Sequence, residues 1–299
     1  VKIAIVTDTS AGITPQEAVA RQITLLAAPI MFGNRQYHEY QDLSSAEYYR
    51  NVRLSKSKKL VPTAPQISMA TIHQVCDRLA KQGVTDVVVI GPTSGISGFM
   101  NTLNSYVEAI TSVKVWPWDS RGILTVMGDQ VRLAAALVER GADVPTILQA
   151  LEQLRRTAQT AFVVDSIKPL LHTGEINLGH GPSNVPVGKP LLVFENSGKI
   201  RFAGTALRLK SALDDLLAQM VPDLQAATPL KATILNADQP ETTEQWLMAA
   251  HDHFPQVQFD RALIGPSLGV HVGDGAMGLA WSLDYQHLLT AENENTIKK

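Results

Sequence analysis

Short β-branched runs alternate with amphipathic stretches through the first half of this chain, and that alternation leaves few architectures open. Lys2–Thr7 reads as a buried strand, and Thr14 ahead of Pro15 marks the start of a helix over Pro15–Arg21. Ser68–Gln82 places Met69, Ile72, Val75, Cys76 and Leu79 at helical spacing and stops at Gly83. Val84–Ile90 is β-branched apart from Asp86, Gly98–Ile110 is another helix and Val113–Trp118 another strand. Strands this apolar, alternating with helices, predict a parallel sheet covered on both faces. Leu25–Phe32 forms a further apolar run closed by a Gly33-Asn34 turn signal, and Ser44-Ser45-Ala46-Glu47 has the form of a capping box.

The pattern changes beyond a helix around Val131–Arg140. Ile147–Ala158 is helical and Ala161–Asp165 a strand, while Leu191–Glu195 and Lys199–Ala203 flank Asn196-Ser197-Gly198 as a β-hairpin. Ser211–Met220 is an amphipathic helix, and Lys231–Asn236 and Gln256–Ile264 are further strands. At 299 residues the chain exceeds one typical domain. The expected fold is therefore α/β in two domains: an N-terminal parallel-sheet α/β domain over residues 1–159 and a C-terminal α+β domain over 160–299.

A formal net charge of −2 supplies no basic field for nucleic acid or anionic lipid. No window offers about 18 uninterrupted apolar residues, so no membrane span is expected. The opening run turns polar at Thr7, too short for a signal-peptide h-region and without a cleavage site. The single cysteine, Cys76, excludes an internal disulfide and occupies an apolar helical position that favours core packing. A bacterial-type cytoplasmic protein is the expectation from these absences.

Two glycine-rich segments carry the chemistry. The first, Gly91-Pro92-Thr93-Ser94-Gly95-Ile96-Ser97-Gly98, ends a strand and opens a helix; the second runs from Gly265 to Ala276 and holds Ser267 and His271. Glycine lets a backbone approach a ligand closely, and adjacent hydroxyl and N–H groups suit an anionic oxygen pair. The Ser94 loop lies where open α/β sheets bind ligands, although an ordinary βα turn with a helix cap fits the same residues. Asp8 and Ser10 end the first strand on that rim, as ligand contacts or as caps of the next turn, and Asp119-Ser120 repeats the arrangement with the same two readings.

Other motifs carry less. Gly273–Gly278 satisfies G-x-G-x-x-G, but the 21 residues that follow cannot supply the rest of a βαβ unit. A Ser94–His271–Asp8 triad would make the chain a hydrolase, without the spacing of a nucleophile elbow. His172, His180, His251 and His253 lack partners at metal-ligand spacing, so no metal site is expected.

In order along the chain, these pieces resemble the DegV family of bacterial lipid-binding proteins. Ile5-Val6-Thr7-Asp8-Thr9-Ser10-Ala11 is similar to the family's opening, and Pro62-Thr63-Ala64-Pro65-Gln66-Ile67-Ser68 to its second segment. Thr93-Ser94-Gly95-Ile96-Ser97-Gly98, Trp118-Asp119-Ser120 and Ile264 through Gly278 complete five ordered matches. The resemblance implies a non-catalytic two-domain protein that holds one fatty acid between its domains, with no other cofactor. It also implies that the carboxylate is presented to a separate fatty acid kinase. Carried over by position, the head-group contacts would be Thr93, Ser94, the Gly95 N–H and His271, with Thr63 weaker and Asp8, Ser10 and Ser120 on the rim.

The chain departs from the family in three places. Gly174-Glu175-Ile176-Asn177 puts an acid where an arginine is expected, Ala64-Pro65 replaces a Thr-Ser pair, and only Arg208 and Lys210 keep the basic start of the Ser211 helix. They leave open two alternatives to the fatty acid carrier: a carrier or sensor of another amphiphile without a kinase partner, and the Ser94/His271 hydrolase.

Overall fold

The computed structural model describes residues 1–55, 61–173, 176, 187–226 and 229–290; Gly174, Glu175 and Asn177 lie outside them. Strand β1 (Ile3–Asp8) leads through a 3-10 turn (Thr9–Ala11) and helix α1 (Pro15–Ala20) to β2 (Ile23–Leu26). A hairpin of β3 (Pro29–Phe32) and β4 (Arg35–His38) follows, then α2 (Ser45–Ser55), α3 (Met69–Lys81), β5 (Asp86–Gly91), α4 (Phe99–Tyr106) and β6 (Lys114–Asp119). The order β2-β1-β5-β6 is parallel throughout. Val87, Val88, Val89 and Ile90 of β5 are all buried, because α3 and α4 cover one face of this sheet while later helices cover the other. The helix starts follow their caps: Thr14 accepts from the Glu17 N–H and Ser68 from the Thr71 N–H. Cys76 is buried in the core beneath α3.

Helices α5 (Leu124–Glu139) and α6 (Val144–Thr157) lead into a second sheet. Its elements are β7 (Gln159–Val163), α7 (Lys168–Thr173), β8 (Lys189–Phe194), β9 (Ile200–Ala206), α8 (Leu209–Ala226), β10 (Leu230–Asn236), α9 (Pro240–His253), β11 (Gln258–Leu263), α10 (Pro266–Val272) and β12 (Met277–Leu283). Its order is β11-β10-β12-β7-β8-β9, with β10 and β11 parallel and every other pair antiparallel. The fold is thus α/β with one parallel sheet and a separate mixed sheet, as the strand and hairpin patterns predict. β8 and β9 form the expected hairpin around Asn196-Ser197-Gly198.

One expectation breaks. The apolar run Leu25–Phe32 is two strands: β2 stops at Leu26, and the chain leaves the parallel sheet before β3. The Ala28 N–H donates to the Thr9 hydroxyl, and the Ala28 carbonyl accepts from the Glu39 N–H, so the polar groups of the bend are satisfied outside the sheet. The β3–β4 hairpin and α2 then pack on the second sheet: Ile30, Leu43, Tyr48 and Tyr49 share a core with Phe162, Phe194, Leu235 and Leu268. Tyr49 is fully buried and its hydroxyl donates to the Ile264 carbonyl at 2.8 Å, just ahead of α10. Arg53 adds ion pairs at 2.8 Å to Asp238 and 2.9 Å to Asp274. Tyr49→Phe deletes the one buried donor on that carbonyl from α2 and should cost about 1–2 kcal/mol, read as a lower midpoint in urea unfolding. An unchanged midpoint would show that this hydrogen bond does not help to seat α10.

Candidate ligand-binding site

A pocket opens at the carboxyl ends of β1 and β5 and is closed from the other side by α10. Its enclosed volume is about 80 Å³. Ile67, Ile96, Phe99, Ile123 and Leu268 give it apolar walls, and Asp8, Ser10, Gln66, Ser97, Ser267 and His271 supply its polar side chains. Among the described residues, no lysine or arginine lines it.

Asp8, Ser10 and His271 meet in this pocket. Asp8 also caps the 3-10 turn, its Oδ1 accepting from the Ser10 N–H at 2.8 Å, so both readings of that carboxylate apply at once. Thr63, Thr93, Ser94, Gly95 and Ser120 are not on the lining. Thr93 is fully buried; its hydroxyl donates to the Gly198 carbonyl at 2.8 Å and accepts the Gly95 N–H at 3.1 Å. That latch explains two glycines, since a Cβ on Gly95 would strike the Gly198 carbonyl and one on Gly198 the Thr93 hydroxyl. The Ser94 N–H donates to both Asp119 carboxylate oxygens at 3.3 Å. Ser120 is buried and donates to the Gly122 carbonyl at 3.0 Å. Thr63 pairs with Met31 as an isolated antiparallel bridge, next to Ala64 and Pro65, which do line the pocket.

A second layer holds the loops. The Gln130 amide donates to the carbonyls of Ser120 and Val126 and accepts from the Trp118 indole, clamping the chain between β6 and α5. Arg155 stacks 4.0 Å over the Trp118 ring and donates to the Asp119 carbonyl. Arg121 and Leu124 are held there at φ 52 and 48, a left-handed conformation that only dense tertiary contacts sustain in such residues. Between them Ile123 is turned into the pocket wall.

Behind the pocket lies a residue that nothing in the sequence singles out. Glu39 is 1 % exposed. Its Oε2 accepts from the Thr9 hydroxyl at 2.9 Å and the Ser267 N–H at 3.3 Å, while Oε1 has no hydrogen-bond partner. Gly265 leaves room for this carboxyl, because a Cβ there would overlap Oε1. Burial pushes Glu39 up to about 7, against the pull of the Ser267 and Thr9 donors and with Asp8 repelling it. Burial also raises Asp8, against its Ser10 hydrogen bonds. In a polar stretch such as Tyr37–Tyr40, a glutamate carries no signal of burial.

Two further features bound the chemistry. The Gly273–Gly278 spacing falls at the turn from α10 into β12, which is antiparallel to both its neighbours, so no βαβ unit surrounds it. Among the described residues, no group of three or more His, Cys, Asp or Glu is placed to hold a metal ion, and no helix is long and apolar enough to cross a membrane.

Parallel strands ending at a pocket of mixed lining, capped by a helix from a mixed sheet, define an α/β protein with a pocket at its strand ends. A family model described as "uncharacterised protein, DegV family" matches residues 2–284, and the chain belongs to the DegV family. It is 27 % identical over 295 residues to a DegV domain-containing protein of Listeria innocua, covering 94 % of this chain and 99 % of the relative. The crystal structure of Bacillus subtilis DegV, described as a fatty acid binding protein, superposes with a TM-score of 0.82 at 25 % identity, over 94 % of this chain and 99 % of that one. A fatty acid binding DegV family protein from Streptococcus agalactiae has the same fold, with a TM-score of 0.84 at 24 % identity over 94 % and 99 % of the two chains.

The raised Glu39 carboxyl has a consequence for stability. A folded-state pKa near 7 against an ordinary value of 4.5 means that its contribution is complete below about pH 4.5 and is lost as pH rises through 7. Glu39→Gln removes that loss. The stability of the variant relative to wild type should therefore climb between pH 5 and 8, on the order of 3 kcal/mol. A difference that stays flat across that range would show that Glu39 ionises as freely as a surface glutamate.

Proposed function

We propose that the chain is a non-catalytic fatty acid carrier. The observation that carries this reading is a pocket whose lining combines apolar side chains with hydroxyl and imidazole groups, in a fold shared with a Bacillus subtilis relative described as a fatty acid binding protein. His271 supplies an imidazole for the head group, with Ser10 beside it on the lining. Ser94 belongs to the same set through its loop; Thr93 and Gly95 serve by latching that loop, and Thr63 by carrying the Ala64 strap. The ligand lies between an N-terminal unit of residues 1–159 and a C-terminal unit of 160–299. Burial of a sixteen-carbon tail favours binding by on the order of 10 kcal/mol before ordering costs, at about 0.8 kcal/mol per methylene. An unpaired buried carboxylate would cancel much of that, which is why the donors matter.

We further infer that the bound carboxylate is presented to a separate fatty acid kinase, which adds the phosphoryl group in trans. On this reading the carrier works in the cytoplasm, where nucleotide is available. A second reading has its own observation: Ala64 and Pro65 line the pocket without hydroxyls, which suits a different amphiphile.

Native mass spectrometry of the purified protein, followed by organic extraction, tests the carrier. One fatty-acid-sized species per chain is expected, and His271→Ala should weaken rebinding of palmitate about tenfold or more, the worth of one charge-assisted hydrogen bond. An additional Ser94→Ala should weaken it further. A protein that binds neither palmitate nor oleate would favour the other amphiphile.

A further inference from the structure

We propose that this pocket takes up a fatty acid together with one proton, and that the proton resides on Glu39. The inference rests on the carrier reading and deepens it.

Charge forces the question. The guest arrives as an anion, and Asp8 already lines the pocket while Glu39 lies directly behind Ser267. His271 is the one basic side chain among the described lining residues. The occupied site would hold three carboxylates against that single basic side chain. Each added carboxylate raises the cost of ionising its buried neighbours, so a proton joins the complex more readily than a third charge.

Glu39 is the receptor for that proton on geometric grounds. Asp8 has its Oδ1 committed to the Ser10 N–H. Glu39 has one oxygen committed to Thr9 and Ser267 and the other, Oε1, buried with no partner. The Ser267 hydroxyl is likewise buried and unpartnered, and Ser267 lines the pocket. A proton on Oε1 takes the charge off a buried oxygen that no donor stabilises. Solvent supplies the proton, and no bond to carbon is made or broken.

The remaining groups facing Glu39 do not offer an alternative counter-charge. Tyr48 and Tyr49 from α2, and Tyr40 beside it, are phenols that burial holds above their ordinary range, so they stay neutral. Glu39 itself stands at the edge of ionisation near neutrality, where a second negative charge tips it to the protonated form.

Calorimetric titration of the full chain with sodium oleate, in buffers of different ionisation enthalpy, counts the protons directly. At pH 8 wild type should take up close to one proton per oleate, and its affinity should fall about tenfold between pH 6.5 and 8.5. Glu39→Gln should take up none and bind with little pH dependence. Oleyl alcohol, which brings no charge, should bind wild type without proton uptake, a control that does not depend on the variant folding. Oleate binding without proton uptake overturns this inference alone, as does equal uptake by Glu39→Gln or with oleyl alcohol. Failure of wild type to bind oleate even at pH 6.5 overturns the carrier reading and this inference together.

Discussion

The seat of α10 is the contact on which this architecture depends. The helix belongs in sequence to the second sheet, yet its Ser267 and His271 are useful only where they face the ends of β1 and β5. What holds it there is a shared apolar core that Ile30, Leu43, Tyr48 and Tyr49 build with Phe162, Phe194, Leu235 and Leu268. The Tyr49 hydroxyl and the Glu39 carboxyl then set the register of the helix, one on the Ile264 carbonyl and the other on the Ser267 N–H. Hydrophobic burial supplies the non-directional attraction; the two polar ties decide which residues of α10 look into the pocket.

That arrangement also explains why the Ser94 loop has its sequence. A loop that only bound a ligand would need free hydroxyls, but Thr93 is turned away, buried against the β8–β9 turn. Small residues are required at Gly95 and Gly198 because two backbones meet there. Pro92 before the latch and Ile96 and Ser97 after it reach the pocket. The loop both joins the two sheets and contributes walls to the pocket, so its composition serves assembly as well as the lining.

The pocket's electrostatics follow from the same packing. Asp8 caps a turn and Glu39 accepts two hydrogen bonds, both ordinary structural duties, but their burial side by side beneath α10 creates an acidic environment without lysine or arginine on the described lining. Anion binding in such a place depends on donors and protons rather than on fixed cations. Family membership sets the fold; the local balance of acids and hydroxyls sets the electrostatic character of the pocket.

Much of this was legible in the residues themselves. β-branched runs such as Val87–Ile90 declare buried strands because their spacing and stiffness suit nothing else, and Thr14-Pro15 and Ser68 declare helix starts because capping is local. The rim position of Asp8 and Ser10 followed from strand direction alone. Other features depend on long-range contacts that local patterns do not encode. The split of Leu25–Phe32, the migration of α2 to the second sheet, and the burial of Glu39 are settled by surfaces more than a hundred residues away in the chain. Local propensity is a property of a segment, whereas burial is a property of its surroundings: an apolar run can announce a strand, but only the tertiary structure decides which sheet it joins and which acid is left in the dark.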